Sequence, residues 1–250
     1  MAERKIFILE EKENPWCEFL QEFFEDTPSR IHLVHDAKSA GDYLGRAHAD
    51  MALVNPKLLT LPIVQKMKVL RQSFPDFRLF GISAERKLAD AHKQDGLIFD
   101  DLFDGIPPLI DFQKRIAQHL PVPDSIRVLV IDDEAEIGEM IKDFLGERTH
   151  PTFDVTYTAD GKKGLHLLEA QLHDVVVLDV KMPILDGREV YREIKKKGLK
   201  IPVIVFFDAI SGDEMVDIRE IGRPAVVEKG ARQSAMPEMM ALIKKMVYFG

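Results

Sequence analysis

Two uninterrupted apolar runs, VLVI at residues 128–131 and VVVL at residues 175–178, constrain the fold more than any other feature of the sequence. Neither run alternates with polar residues, which is typical of strands that are covered on both faces of a parallel sheet. Asp132 and Asp133 follow the first run, and Asp179 follows the second. Because ligands of open α/β sheets bind at the carboxyl ends of the strands, neighbouring strands would bring these three carboxylates together.

A cluster of three carboxylates repels itself unless a cation neutralises it. Oxygen-only ligands suit a hard divalent ion, so the residues indicate Mg²⁺. A carboxylate beside Mg²⁺ is also able to act as a nucleophile and accept a phosphoryl group. The pattern therefore predicts a metal site with phosphoryl-transfer chemistry at one edge of a sheet.

The segments VLVIDDE, VVVLDVKMPILDG and IPVIVFF, with a lysine further on, resemble the receiver domain of bacterial response regulators, the CheY-like family, over the second half of the chain. The combination of paired acids, a D-x-x-M-P-x-x-D-G run and a downstream lysine is far more specific than any one motif. The resemblance implies that Asp179 is the phospho-acceptor and that Asp132 and Asp133 hold Mg²⁺ with it. It also implies that the backbone carbonyl of Lys181 completes the metal site and that Lys229 pairs with the phosphoryl group.

Two positions that this family uses to report phosphorylation are altered. The family carries Ser or Thr at the end of its fourth strand, where this chain has Phe207, or Asp208 if the register slips by one residue. The family also carries an aromatic residue three positions before its lysine, where this chain has Val226. We therefore expect Asp179 to be phosphorylated and the change to be reported differently, through residues 208–213 or through the other domain. The alternative is a second copy that keeps its metal site and switches poorly.

The two halves of the chain repeat one another at an offset of 124 residues, on either side of a proline-containing linker at residues 121–125. A repeat of this length predicts two copies of one α/β domain, at residues 1–120 and 126–250. Each is expected to be a doubly wound (βα)₅ parallel-sheet domain of the flavodoxin-like class. The strands are expected near residues 5–9, 31–34, 51–54, 78–80 and 96–99 in the first copy, and near 127–131, 154–158, 175–178, 203–206 and 225–227 in the second.

The chemistry does not repeat with the fold. Glu10 and Glu11 occupy the positions of the acidic pair, and Asn55 stands where the second copy has Asp179. An amide cannot be phosphorylated as a carboxylate can, and it removes one anionic ligand from any metal. The acidic stretch at residues 100–105 replaces the segment that carries the lysine. The first copy is therefore expected to be a pseudo-receiver, kept for binding or assembly.

Composition narrows the partners and the compartment. The formal net charge is −8, and the basic run at residues 195–197 is better explained as a helix end than as a nucleic-acid footprint. Neither nucleic acid nor a membrane is expected as a partner, since no apolar run is long enough to span a bilayer. Cys17 is the only cysteine, so no intrachain disulfide can form, and a cytoplasmic protein is expected.

The expected function is signal relay in a bacterial two-component system. A histidine kinase or phosphotransfer protein would donate a phosphoryl group to Asp179, and a chain without an output domain would act on a downstream protein by contact, by further phosphorelay or as a homodimer. This describes a signalling module and not an enzyme. Two alternatives stay open: a phosphorylation-independent adaptor, and the regulatory part of a longer protein such as a nucleotide cyclase. A phosphatase of the aspartyl-phosphate type is disfavoured, because residues 179–181 lack the second acid of a D-x-D motif.

Overall fold

The computed structural model describes residues 3–85, 96–148, 150–170, 172–230 and 232–250. The chain divides into two compact units that meet in sequence between Pro121 and Val122, with Asp26–Pro28 grouped with the second. We call the unit that ends at Pro121 the first domain and Val122–Gly250 the second domain. Each contains one five-stranded parallel sheet flanked by helices.

The elements follow one another in the same alternating order in both domains. The first contains β1 (Lys5–Leu9), α1 (Pro15–Phe24), β2 (Arg30–Val34), α2 (Ala37–Leu44), β3 (Met51–Val54), a 3₁₀ helix (Pro56–Leu58), α3 (Leu61–Ser73), β4 (Arg78–Ser83), β5 (Asp101–Asp104) and α4 (Leu109–Ala117). The second contains β6 (Ser125–Ile131), α5 (Ala135–Gly146), β7 (Thr152–Thr158), α6 (Gly161–Glu169), β8 (Val175–Asp179), α7 (Gly187–Lys196), β9 (Val203–Phe207), α8 (Gly212–Ile221), β10 (Ala225–Glu228) and α9 (Arg232–Phe249).

Strand order confirms the predicted fold class. The sheets run β2-β1-β3-β4-β5 and β7-β6-β8-β9-β10, which is the same order when each domain is numbered from its own first strand. This is the flavodoxin-like version of the doubly wound fold. Every residue of β3 and β8 is buried, as the uninterrupted apolar runs predict for strands inside a parallel sheet. The order reverses beside β1 and β6, which places the ends of these strands at the usual ligand edge.

Nine of the ten predicted strands agree with the structure within three residues at either end, and the fifth strand of the first copy does not. The strand predicted at residues 96–99 is wrong, because β5 is Asp101–Asp104 and pairs with β4 from Phe80↔Asp101 to Ser83↔Asp104. An acidic strand is possible here because Arg115 binds Asp101 through two nitrogens, at 2.7 and 3.0 Å. The helix expected between β4 and β5 falls on residues 86–95, outside the described residues.

Two smaller features complete the fold. Ser125, which the sequence places in the linker, is the first residue of β6. None of the helices in the described parts of the chain is both long and apolar enough to cross a membrane.

Candidate functional site

The acidic cluster forms where β6 and β8 end side by side. These strands pair in parallel with Ile131 opposite Leu178, so the aspartates that come next share one edge of the sheet. One carboxylate oxygen from each of Asp132, Asp133 and Asp179 lies within 4.8 Å of the others. Asp132 and Asp179 are only 1% and 4% exposed, whereas Asp133 is open to solvent. The three residues that the sequence predicts as ligands are therefore brought together.

Lys229 neutralises part of the negative charge of the two buried aspartates. Its Nζ lies 2.9 Å from Asp132 Oδ2 and 2.9 Å from Asp179 Oδ1, and the lysine is itself only 4% exposed. The backbone N–H of Lys229 donates to the carbonyl of Phe207 at 2.6 Å, which continues the β9–β10 ladder by one residue. A further carboxylate, Glu134, lies 3.5 Å from the same Nζ. Sequence reasoning missed this fourth acid, although it directly follows the paired aspartates.

Burial and charge act against each other in this group. Burial raises the pKa of Asp132 from 3.8 to about 6, and Lys229 offsets only part of that rise. The pKa of Asp179 is raised for the same reason, again against the effect of Lys229. Burial lowers the pKa of Lys229, but its contacts with Asp132 and Asp179 outweigh burial and raise it overall. The lysine is therefore charged at neutral pH, and the two buried acids lose their protons less readily than an exposed aspartate does.

The donor set fits Mg²⁺. Asp132 Oδ2 is within 2.9 Å of Lys229 Nζ but outside hydrogen-bond geometry, so this buried oxygen finds no hydrogen-bond donor among the described residues. Carboxylate oxygens that lack hydrogen bonds and carry excess negative charge are what a hard divalent ion requires. The backbone N–H of Lys181 favours the ionised form of Asp179 and so lowers the pKa of that carboxyl, against the larger effect of burial. The metal-binding role of the Lys181 carbonyl stays a prediction.

The loop at residues 180–186 joins β8 to α7 and is held close to the end of β8; we call it the acceptor loop after the predicted acceptor Asp179. A Cβ atom at Gly187 would lie 2.0 Å from the backbone oxygen of Asp179, so only glycine fits there. The N–H of Gly187 donates to the carbonyl of Val180 at 2.9 Å, and Asp186 begins α7 with a capping box to Glu189. Ile184, in the middle of this loop, is 92% exposed and has a φ of 73°, which is unusual for a β-branched residue.

The strand register identifies the residue at the end of β9. Phe207 pairs with Glu228 and precedes Asp208, which follows the strand. Side chains alternate along a strand, so Phe207 shares a face with Val203 and Val205, and it packs against the core cluster that contains them. Val226, the other atypical switch position, is 36% exposed on β10. Neither Phe207 nor Val226 supplies a hydroxyl or a polar aromatic ring.

The first domain has a counterpart built from different chemistry. Leu9 pairs with Val54 as Ile131 pairs with Leu178, which places Glu10 and Asn55 where the second domain has Asp132 and Asp179. Glu10 is fully buried, and its Oε1 accepts a hydrogen bond of 2.8 Å from Asn55 Nδ2. Burial raises the pKa of Glu10, while the Asn55 hydrogen bond opposes that rise.

Gly105 stands at the position of Lys229. Its N–H donates to the carbonyl of Ser83 at 2.8 Å, as that of Lys229 does to Phe207. The Ser83 hydroxyl is present, but it donates to the backbone oxygen of Glu85 at 2.8 Å. The first-domain site therefore has neither an acceptor aspartate nor a lysine at the matching positions.

Residues 128–241 match the family model described as the response regulator receiver domain. The response regulator MprA of Mycolicibacterium vanbaalenii is 31% identical over 121 residues, which are 48% of this chain and 51% of that protein. The protein-glutamate methylesterase/protein-glutamine glutaminase 2 of Koribacter versatilis is 47% identical over 81 residues, which are 32% of this chain and 22% of that protein.

Among solved structures, the receiver domain of the Francisella response regulator 1452 is 27% identical. The match covers 49% of this chain and 96% of that one, with a TM-score of 0.44. The chain spans about half the length, or less, of the curated relatives named here. The stretch that the family model matches, residues 128–241, contains the acidic cluster, the loop after β8 and Lys229. Residues 128–241 are therefore a response regulator receiver domain.

Proposed function

We propose that the second domain receives a phosphoryl group on Asp179 from a histidine kinase or phosphotransfer protein, and that the phosphorylated chain signals through protein contacts or further phosphorelay. The observation that carries this proposal is the buried pair of Asp179 and Lys229, 2.9 Å apart within the acidic cluster. A carboxylate held beside a lysine is an unphosphorylated acceptor that already has a cation for the incoming phosphoryl oxygens.

The transfer step conserves atoms and electrons. The P–N bond of a phosphohistidine breaks, and its electron pair returns to the imidazole nitrogen as phosphorus bonds to an Asp179 carboxylate oxygen. Lys229 then exchanges its contact with that carboxylate for one with a phosphoryl oxygen. Mg²⁺ held by Asp132, Asp133, Asp179 and the Lys181 carbonyl would supply the remaining positive charge for the transferring group.

The first domain is proposed to be a pseudo-receiver that binds or assembles without being phosphorylated. Asn55 cannot form an acyl phosphate, and its amide already serves as a hydrogen-bond donor to Glu10 at 2.8 Å. The whole-protein activities named for the relatives, including methylesterase activity, belong to those longer proteins. For this chain we propose a signalling module without turnover chemistry.

A phosphorylation-independent adaptor is the second candidate function. It is favoured by Phe207 and Val226, because the family's usual reporter groups are missing from both positions. In that case the Asp179 site would be a structural remnant, and the two domains would act as docking surfaces.

Intact mass of the full chain after incubation with phosphoramidate and Mg²⁺ tests the proposal. We expect one added phosphoryl group on the wild type and none on Asp179→Asn. Asp154→Asn is the matched control, because Asp154 is an exposed residue of β7 and should leave uptake unchanged. Uptake that persists in Asp179→Asn would contradict the assignment of the acceptor. Absence of uptake from phosphoramidate and from phosphorylated histidine kinases would favour the adaptor.

A further inference from the structure

A lysine beside the acceptor is paired with the first turn of α8. Lys181 Nζ lies 3.8 Å from Glu214 Oε2. That same oxygen accepts the backbone N–H of Ser211 at 2.8 Å, while the N–H of Glu214 donates to Ser211 Oγ at 3.2 Å. The ion pair therefore joins the acceptor loop to the capping box that begins α8.

Helix α8 packs on the core through few side chains, the buried Ile218 and the partly buried Ile221. Of its ten residues only Ile218 is buried, and Val216 is 56% exposed. A second ion pair joins Asp217 Oδ2 to Arg188 Nη1 at 3.3 Å, and Arg188 also belongs to the start of α7. Two contacts of α8 thus reach the segment directly after the phospho-acceptor, and both are electrostatic. A helix with few buried apolar residues is the kind of element that opens locally at low free-energy cost.

Lys181 lies between two groups that its ammonium could bind, the Glu214 carboxylate and a phosphoryl group on Asp179. It follows the last residue of β8, Asp179, by two positions, so its backbone is held near the proposed acceptor. Its side chain is 60% exposed and carries four rotatable methylene bonds, so the ammonium group can reorient. An exposed pair at 3.8 Å is weak. A phosphoryl group on Asp179 would carry nearly two negative charges and three acceptor oxygens, which makes it the stronger partner.

We propose that Lys181 binds the phosphoryl group in place of the hydroxyl that Phe207 cannot supply, and that it releases Glu214 and loosens α8 when it does so. The inference rests on the proposed phosphorylation of Asp179. It makes Lys181 a second phosphoryl-binding cation beside Lys229. It also makes α8, and not an aromatic residue on β10, the element that reports phosphorylation to a partner.

Amide hydrogen exchange of α8 in the full chain tests this inference. The chain is compared with and without Mg²⁺ and beryllofluoride, which mimics a phosphoryl group on a carboxylate. Lys181→Met removes the ammonium group. Glu214→Gln removes the negative charge but keeps an oxygen that can complete the capping box. Lys200→Met is the matched control, because Lys200 is an exposed lysine at the end of the loop before β9.

In the wild type and in Lys200→Met we expect beryllofluoride to speed exchange in α8 by about two- to fivefold, the size expected for loss of one exposed ion pair. Glu214→Gln and Lys181→Met should show that faster exchange already without beryllofluoride, and little further change with it. Lys181→Arg should keep the wild-type response, because it keeps a cation at this position. Intact mass with phosphoramidate is measured on each variant, so that a change in α8 exchange is compared at a known level of phosphoryl uptake.

The two proposals fail in different ways. If the wild type is phosphorylated but its α8 exchange is unchanged, or rises equally in Lys181→Met, the readout through Lys181 is wrong and the acceptor assignment stands. If neither phosphoramidate nor a phosphorylated kinase modifies the wild type, the proposed function fails and the readout falls with it.

Discussion

The two domains place a buried carboxylate at the same point of the same fold and satisfy it in different ways. In the second domain, the cation Lys229 lies 2.9 Å from both Asp132 and Asp179. In the first, the neutral amide of Asn55 donates to Glu10 at 2.8 Å. Both sites keep one buried carboxylate oxygen without a hydrogen-bond donor among the described residues. The difference shows that the same edge of this fold can hold either a cluster of charged side chains or a hydrogen bond between an amide and a carboxylate.

The divergence also extends to the backbone. Gly105 has a φ of 79°, in the region that favours glycine, whereas Lys229 at the matching position is not in that region. A lysine placed at residue 105 would therefore be strained and would leave the strand in another direction. Exchange of side chains alone does not convert the first site into the second.

The largest expected effect comes from removing the cation of the second site. Lys229→Met leaves Asp132 and Asp179 buried without their partner, and such a loss typically costs about 3 kcal/mol in the free energy of unfolding. We expect this loss at pH 8 in EDTA, and a smaller one with Mg²⁺, because the ion neutralises the same carboxylates. Urea unfolding followed by far-UV circular dichroism measures it.

Lys142→Met is the control for this variant, because Lys142 is exposed on α5 and should change the free energy of unfolding little. Trp16 is the only tryptophan and lies in the first domain, so its fluorescence should report an unchanged transition there. A cost below that of the control would show that the lysine does not neutralise the cluster.

Asn55→Asp is the matching change in the first domain, and a smaller effect is expected. It places a second carboxylate against Glu10 and replaces a hydrogen bond with a repulsion, at a cost of about 2 kcal/mol at pH 8. The cost should shrink towards pH 5, because a proton shared by the two acids restores a hydrogen bond. Urea unfolding followed by Trp16 fluorescence measures this domain.

Asn14→Asp serves as the comparison, because Asn14 caps α1 through its Oδ1 and an aspartate keeps that acceptor. Asn55→Asp should also remain unphosphorylated by phosphoramidate, since Gly105 stands at the position where the second domain has Lys229. Uptake at residue 55 would break the distinction between the domains.

Most of the fold could be predicted from the sequence, because the central strands of a parallel sheet are uninterrupted apolar runs. The repeat then located the strands of the first domain, because they lie at a constant offset from those of the second. The exception is β5, where apolar residues 96–99 competed with the acidic segment at Asp101–Asp104. Burial of Phe103 and the ion pair between Asp101 and Arg115 decide that competition. Contacts between residues that far apart in sequence are not visible in a local pattern.

The three aspartates could be predicted for a similar reason, since strand ends determine where Asp132, Asp133 and Asp179 lie, whereas Lys229 was predicted from the resemblance to the receiver family. The contacts of longer side chains could not. Glu134 near Lys229 and Lys181 near Glu214 depend on rotamers and on loop geometry. The positive φ of Gly105 likewise follows from how the chain leaves β5, and glycine is only a permissive signal for it.

A smaller effect is expected from pH, which should change the free energy of unfolding of the second domain. The pKa of Asp132 is raised from 3.8 to about 6, so the folded domain binds this proton more tightly than the unfolded chain does. Without metal, the stability due to Asp132 is therefore greatest at low pH and falls as pH rises through 6, by about 1.4 kcal/mol between pH 5 and 7.5. Stabilisation by Mg²⁺ should grow over the same range, because the ligands must be deprotonated.

The difference in urea unfolding between the wild type and Asp132→Asn isolates this group. Asp132→Asn is needed as a reference because His173 also titrates in this range. Burial lowers the pKa of His173, so its contribution to stability rises with pH and opposes that of Asp132. A wild type that loses no more stability than Asp132→Asn between pH 5 and 7.5 in EDTA would contradict the raised pKa of Asp132.

The smallest expected effect concerns the acceptor loop. Ile184 has a φ of 73° and an exposed side chain, and the described residues of the first domain contain no non-glycine residue with a positive φ. Left-handed backbone at a β-branched residue is strained, so Ile184→Asn should stabilise the second domain by about 1 kcal/mol. The midpoint temperature of thermal unfolding, Tm, should rise by about 4 °C. Ile98→Asn, at an exposed isoleucine outside that backbone region, should show no such gain.

Backbone strain beside a reactive residue is typical of functional loops. A stabilised Ile184→Asn that takes up phosphoryl groups more slowly would tie the strain to transfer, and an unchanged rate would assign it to the backbone path between Asp179 and Gly187.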